Sequence, residues 1–169
     1  YMAAWTEIAA ADLEKTTPPA VLKYSLGDSN FANWSTPQVM ANLDEVPTNI
    51  ELLQKGSGAA AIYLATDEGP ASVNRTIYGL IWNGSAWSTP AEITAKTEVK
   101  GFAACTTGSS AEPRVLLTYV NGADELQTLQ WNGSSVSGAA KLADGAGNDL
   151  VLVSQDGGEA TLLWSGLSQ

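Results

Sequence analysis

The sequence predicts an all-β fold: a β-propeller-like array of about three four-stranded antiparallel blades, with a β-sandwich as the alternative. Three observations carry this expectation. A strand–turn–strand unit recurs. It reads Leu80-Ile81-Trp82-Asn83-Gly84-Ser85-Ala86-Trp87-Ser88-Thr89-Pro90, then downstream Leu129-Gln130-Trp131-Asn132-Gly133-Ser134-Ser135-Val136-Ser137. Upstream it reads Leu22-Lys23-Tyr24, a longer turn, and Trp34-Ser35-Thr36-Pro37. Second, Trp5 and Trp164 stand three intervals of about 53 residues apart, a period that fits a four-stranded repeat. Third, no long helical pattern interrupts the strands.

Each part of the unit has a physical reason. Asn-Gly between apolar runs favours a tight hairpin, because both residues tolerate positive φ. Leu80 and Trp82 lie two apart and so share a strand face, as do Leu129 with Trp131 and Leu22 with Tyr24. An aromatic at the strand end can then pack across the turn on Trp87 or Val136. On this spacing Tyr24, Trp82 and Trp131 are expected at one equivalent position.

Taken in order, residues 2–6 read as a strand. Residues 8–15 would make a helical turn or two at most, because Thr16-Thr17-Pro18-Pro19 forbids extension. Strands follow at 20–26 and 37–41. Pro47-Thr48 marks a boundary. Residues 50–54 form a strand with Ile50, Leu52 and Gln54 on one face. Residues 59–66 are continuously apolar and small, which implies burial on both faces. Strands at 76–82 and 90–94 complete a group of four. The order then repeats at 99–105, 114–120, 125–131 and 139–142. A loop at 145–147 precedes strands at 149–154 and 160–164. The segments Trp5-Thr6-Glu7, Ala65-Thr66-Asp67, Tyr119-Val120-Asn121 and Trp164-Ser165-Gly166 occupy one place in the period. The repeats run approximately 1–48, 49–97 and 98–148, with a partial fourth at 149–169, all in one domain.

Composition narrows the function. The chain has 169 residues, 44% hydrophobic and only 15% charged, enough for a folded core. Its net charge of −10 repels phosphate backbones, so nucleic acid is excluded as a partner. Histidine is absent, which removes Ser-His-Asp and Cys-His catalysis and imidazole metal sites. Cys105 is the lone cysteine and sits in the apolar run Phe102-Ala103-Ala104-Cys105, so it is expected buried and inert. No apolar run is long enough for a membrane helix, so no membrane insertion is expected. No signal peptide is seen, and the start at Tyr1 reads as a fragment or a processed product.

Ser25 and Asp28 in Ser25-Leu26-Gly27-Asp28, with Trp34 in Asn33-Trp34-Ser35, resemble the box of the sialidase-like, Asp-box type of β-propeller repeat. In the second and third copies Asn-Gly replaces the Asp turn, and the third carries Val136 where Trp stood. The resemblance implies a propeller and a secreted or cell-surface setting. It implies no activity.

Several residues are candidates for chemistry. Tyr24, Trp82 and Trp131 would form a repeated sugar-stacking platform, or else pack the blades. Glu7, Asp67, Glu68, Asp124 and Glu125 all follow one strand of the repeat and would gather at one rim, where a glycosidase would place paired carboxyls. A sialidase would also need three arginines around its substrate, whereas only Arg75 and Arg114 are present. Asp144, Asn148 and Asp149 form an oxygen-rich loop that could hold Ca²⁺, although the spacing does not fit an EF-hand. No other cofactor is expected. Sequons at Asn33, Asn74, Asn83 and Asn132 would accept glycans in a secretory host, while turn chemistry already explains two of them.

The expected function is therefore a non-enzymatic extracellular or surface propeller segment that binds protein or carbohydrate, or serves assembly. One alternative is a lectin in which identical chains build a ring; two copies would give six blades. Another is a fragment of a larger glycoside-processing propeller enzyme. Self-association, or the remaining blades of a longer chain, would cover the open strand edges.

Overall fold

The computed structural model describes residues 1–15, 18–44, 46–66, 75–95, 98–109, 112–155 and 158–166. The chain is all-β, and its sheets are antiparallel meanders in chain order. The first sheet is β1 (Met2–Glu7), β2 (Ala20–Leu26) and β3 (Gln38–Leu43), in that order. The second is β4 (Asn49–Lys55), β5 (Gly58–Thr66), β6 (Arg75–Trp82) and β7 (Ala91–Glu92). The third is β8 (Val99–Thr107), β9 (Arg114–Asn121), β10 (Leu126–Trp131) and β11 (Val136–Ala143). The fourth is the pair β12 (Ala146–Ser154) and β13 (Ala160–Gly166).

A short 3-10 turn at Ala10–Asp12 is all that the helical signal at 8–15 yields. Lys15 pairs with Asp12 across it. Several expected bounds shift: the strand expected at 37–41 runs Gln38–Leu43, and the one expected at 139–142 runs Val136–Ala143, reaching back to the Asn132 turn. The strand expected at 90–94 shrinks to Ala91–Glu92, because beyond it the Thr94 hydroxyl, in place of a backbone carbonyl, accepts the Ile77 N–H at 3.1 Å. The loop expected at 145–147 shortens, because β12 already starts at Ala146, which donates its N–H to the Asp124 carbonyl at 2.9 Å.

Pleating explains how the sheets stack, since alternate side chains leave a strand on opposite faces. Ala61, Tyr63 and Ala65 of β5 pack with Leu22, Tyr24 and Met40 of the first sheet. Ala60, Ile62 and Leu64 leave the other face and pack with Phe102, Val115, Leu117 and Trp131 of the third sheet. The expectation that residues 59–66 are buried on both faces is met over the part whose side chains are described, 59–65. The third sheet behaves likewise. Ala103, Cys105 and Leu116 turn away from the second sheet toward Leu150, Leu152 and Leu162 of the fourth. Val120 and Leu126 extend that contact onto Ala146. The four sheets thus pack one on the next in chain order.

The stack is tightest at the leading strands. β4 lies beside β8, and β8 beside β12. Glu51 of β4 ties two of them together: its Oε2 accepts the Ala104 N–H of β8 at 2.8 Å.

Candidate functional site

The recurring turns can be compared atom by atom. Asn83 Oδ1 accepts the Ser85 N–H at 2.9 Å and the Ala86 N–H at 3.0 Å, and the Asn83 N–H reaches the Ala86 carbonyl at 3.2 Å. Asn132 Oδ1 accepts the Ser134 and Ser135 N–H groups, each at 2.9 Å, with its own N–H on the Ser135 carbonyl at 3.2 Å. Asp28 spans a longer turn with the same logic: Oδ1 accepts from Asn30 at 3.1 Å and Ala32 at 3.0 Å, and Oδ2 accepts Asn33 Nδ2 at 2.7 Å. Those bonds hold the Asp28 carboxyl below its ordinary range, the Asn33 amide most of all. These are side-chain-capped turns, the local chemistry for which Asn and Asp are favoured.

The returning strand repeats as well. Ser35 Oγ accepts the Leu26 N–H, and Ser88 Oγ accepts the Ile81 N–H, each at 3.0 Å. Isolated bridges join Gly27 to Trp34 and Trp82 to Trp87. This register aligns Gly27, not Tyr24, with Trp82 and Trp131. The sequence reading placed Tyr24 three residues out, because the longer Asp28 turn concealed the true offset.

The three aromatics therefore do not form one platform. Trp131 is 1% exposed and lies in the core between the second and third sheets. Tyr24 is 4% exposed, and its hydroxyl donates to Gln38 Oε1 at 2.7 Å. Neither offers a ring face to a ligand. Trp82 is half-buried and clusters with Tyr24 (ring centroids 5.3 Å apart) and Trp87 (5.7 Å).

Trp82 also lines an open cleft of about 480 Å³ between the first and second sheets. Tyr1, Met2, Leu26, Leu52 and Ala59 supply its apolar wall, and Gln54 and Ser57 its polar edge. Tyr1 is exposed and packs against Phe31, with ring centroids 3.9 Å apart and the rings tilted by 31°. Sequence reasoning found Trp82 but missed Tyr1 and Leu26, which reach the cleft only through the pairing of β1 with β2 (Met2 opposite Leu26).

A second, smaller and more polar cleft of about 230 Å³ lies where Gln54, Gly56, Thr107, Ser109, Ser154 and Gln155 converge. It lies among the loops that join the first two strands of the second, third and fourth sheets.

The rim carboxylates are held by lysines. Glu7 binds Lys23 at 2.5 Å and Trp5 Nε1 at 2.9 Å, which together lower its pKa. Asp124 binds Lys100 at 2.5 Å. Glu125 accepts from Asn121 at 2.8 Å and Lys141 at 3.1 Å, and both lower its pKa. Asp67 and Glu68 lie outside the described residues. Arg114 reaches Gln130 at 3.3 Å and Glu112 at 3.8 Å. Among the described residues the carboxylate with a raised pKa is Glu51, where burial outweighs the Ala104 N–H. It faces the packed seam between β4 and β8. Periodicity alone did not single it out.

The proposed Ca²⁺ residues are divided. Asp144 is engaged by Lys141 at 2.9 Å, while Asn148 and Asp149 lie in the irregular start of β12. Among the described residues no group of three or more His, Cys, Asp or Glu could hold a metal ion. Asn33, Asn83 and Asn132 are exposed turn residues; Asn74 lies outside the described residues. Among the described residues no helix is long and apolar enough to cross a membrane.

A scan against protein-family models found no match, and a search of curated proteins found none either.

Proposed function

We propose that this chain is a non-enzymatic β-propeller segment, extracellular or surface-exposed, that binds a carbohydrate or protein ligand in the cleft beside Trp82. The serial packing of the sheets supports the propeller reading. In a two-layer sandwich each sheet turns one face to the core and the other to water. Here the second and third sheets each bury both faces, and the leading strands sit closest together, as in blades fanned about an axis. The recurring Asn83 and Asn132 turns and the matching Ser35 and Ser88 contacts support a repeat.

The observation that carries the binding reading is the cleft itself: a half-buried indole beside an exposed tyrosine, with amide and hydroxyl groups at the edge. An aromatic face with flanking neutral polar groups suits a sugar ring or an apolar peptide side chain. The lysine-held rim supports binding over hydrolysis, because a general acid needs a carboxyl with a raised pKa and Glu7 and Glu125 are shifted the other way.

Titrating neutral oligosaccharides and peptides against tryptophan fluorescence tests this. Binding that is lost in Trp82→Ala and weakened in Tyr1→Ala is expected. Tyr1 is exposed, so its variant keeps the fold. Ligand binding unchanged in both would overturn the assignment.

A further inference from the structure

We infer that the polar cleft at the β4–β5, β8–β9 and β12–β13 loops is a binding site for one ring of an uncharged saccharide. Three consecutive sheets build it. Gln54 and Gly56 come from the second sheet, Thr107 and Ser109 from the third, and Ser154 and Gln155 from the fourth. The strands that carry them are neighbours, since β8 lies beside both β4 and β12. The last two loops meet backbone to backbone. A Cβ on Gly158 would stand 3.3 Å from the Gly108 nitrogen. Both glycines hold a positive φ, 84° and 87°, that other residues rarely adopt. Contacts within the chain therefore shape the cleft.

Its chemistry selects the ligand. The chain carries 18 acidic and 8 basic residues, yet among the described residues none that lines the cleft is charged. An ionic ligand would find no counter-charge there. Side-chain amides and hydroxyls instead both donate and accept, the pattern that sugar hydroxyls match. Part of that capacity is unspent. Among the described residues the Thr107 and Ser154 hydroxyls have no hydrogen-bond partner, and Gln54 Nε2 makes only a long contact, 3.5 Å, to the Gly56 carbonyl. At about 230 Å³ the cleft is smaller than the usual pocket for a drug-sized ligand and suits a single ring. No aromatic side chain is among its described lining residues, so hydrogen bonds hold that ring. The Trp82 cleft differs in offering an indole face, although Gln54 lines both. The inference stands whatever the Trp82 cleft binds.

Amide chemical-shift mapping with glucose, galactose, mannose and N-acetylglucosamine at millimolar concentrations tests this. At least one of these sugars is expected to move the Gly56, Gly108 and Gly158 amide signals together, whereas glucuronate and glucosamine, which carry charge, are not. Thr107→Val and Ser154→Ala each remove one hydroxyl at a loop position. Each should weaken the binding by about tenfold, the loss of one hydrogen bond. Gln54 is left unchanged because it lines both clefts. The Trp82 indole N–H and the Ser57 amide report the other cleft in the same spectra, so the two sites are read separately. Three results would each overturn the inference. One is that none of the four neutral sugars moves the three glycine signals. Another is that the charged sugars move them as strongly. The third is an affinity unchanged in both hydroxyl variants.

Discussion

Trp131 of the third sheet fills the space that Gly79 of the second leaves vacant. A Cβ placed on Gly79 would stand 2.5 Å from two atoms of the Trp131 ring and 2.8 Å from Ile93 Cδ1. Gly79 sits in mid-strand, opposite Ile62 and inside a ladder where glycine is ordinarily unfavourable. Its retention is explained by this close approach of one sheet to the next. Gly79→Ala is expected to destabilise the fold by about 1–3 kcal/mol through overpacking, and Trp131→Ala by about 3–5 kcal/mol through the cavity it leaves. Urea denaturation monitored by circular dichroism measures both.

Glu51 gives a pH prediction. Its folded-state pKa is raised above the ordinary glutamate value, with burial the largest cause. The folded protein therefore binds more protons than the unfolded chain between the two values, and the Glu51 contribution falls as pH rises through that window. Glu51→Gln does not titrate, and its amide oxygen can still accept the Ala104 N–H. The melting temperature of Glu51→Gln relative to the parent should thus climb as pH increases above the ordinary glutamate pKa. Glu51→Ala should be less stable than Glu51→Gln by about 1–3 kcal/mol, because Ala104 N–H loses its partner. Thermal melts across a pH series check the sign.

The lowered carboxylates act in the opposite sense. Asp28, Glu7 and Glu125 favour the ionised form in the fold, so what they contribute is present above the ordinary carboxylate range and lost as pH falls through their folded values. All three are surface groups, and the lysine contacts of Glu7 and Glu125 are screened by salt. Asp28→Asn should flatten the acid limb of the stability profile, and the effect of Glu7→Gln should shrink in high salt.

The Asx turns should be separable from the core. Asn132→Ala removes the acceptor for the Ser134 and Ser135 N–H groups and is expected to cost about 1–2 kcal/mol, while Asn132→Asp retains the acceptor and costs less. Asn83 should behave in parallel, since its contacts match. Parallel losses at both positions, read as denaturation midpoints, would follow from one turn used twice.

Cys105 should be unreactive in the native state. It is buried, and burial together with the Glu51 charge pushes its thiol pKa up. Thiolate is the reactive form, so alkylation is expected only at the rate of unfolding. Mass spectrometry after iodoacetamide treatment, with and without denaturant, reads this directly.

Strand positions were legible because β pairing has a period of two and its turns have their own chemistry. Residues 20–26 and 59–66 read as strands from alternation and apolar runs alone, and Asn83-Gly84 and Asn132-Gly133 read as turns. What stayed hidden depends on register between distant strands. Tyr24 was matched to Trp82 because both follow a leucine by two residues, yet hydrogen bonding aligns Gly27 there. The insertion in the Asp28 turn cannot be placed without knowing that Ser35 pairs with Leu26. No local pattern marks Glu51, since its partner Ala104 lies 53 residues away. The cleft likewise depends on Tyr1 and Leu26 meeting Leu52 and Trp82 across two sheets, a juxtaposition that no local pattern encodes.

The central claim is that consecutive sheets pack serially, with the second buried on both faces. Methyl and aromatic NOE spectroscopy tests it most directly. The account predicts cross-peaks from Ala60 and Ile62 to Leu117 and Trp131, and from Ala61 and Tyr63 to Leu22 and Tyr24. Finding both sets places the second sheet between the first and the third. Finding only one set, with the other β5 face open to solvent, would mean a two-layer packing and would contradict the account.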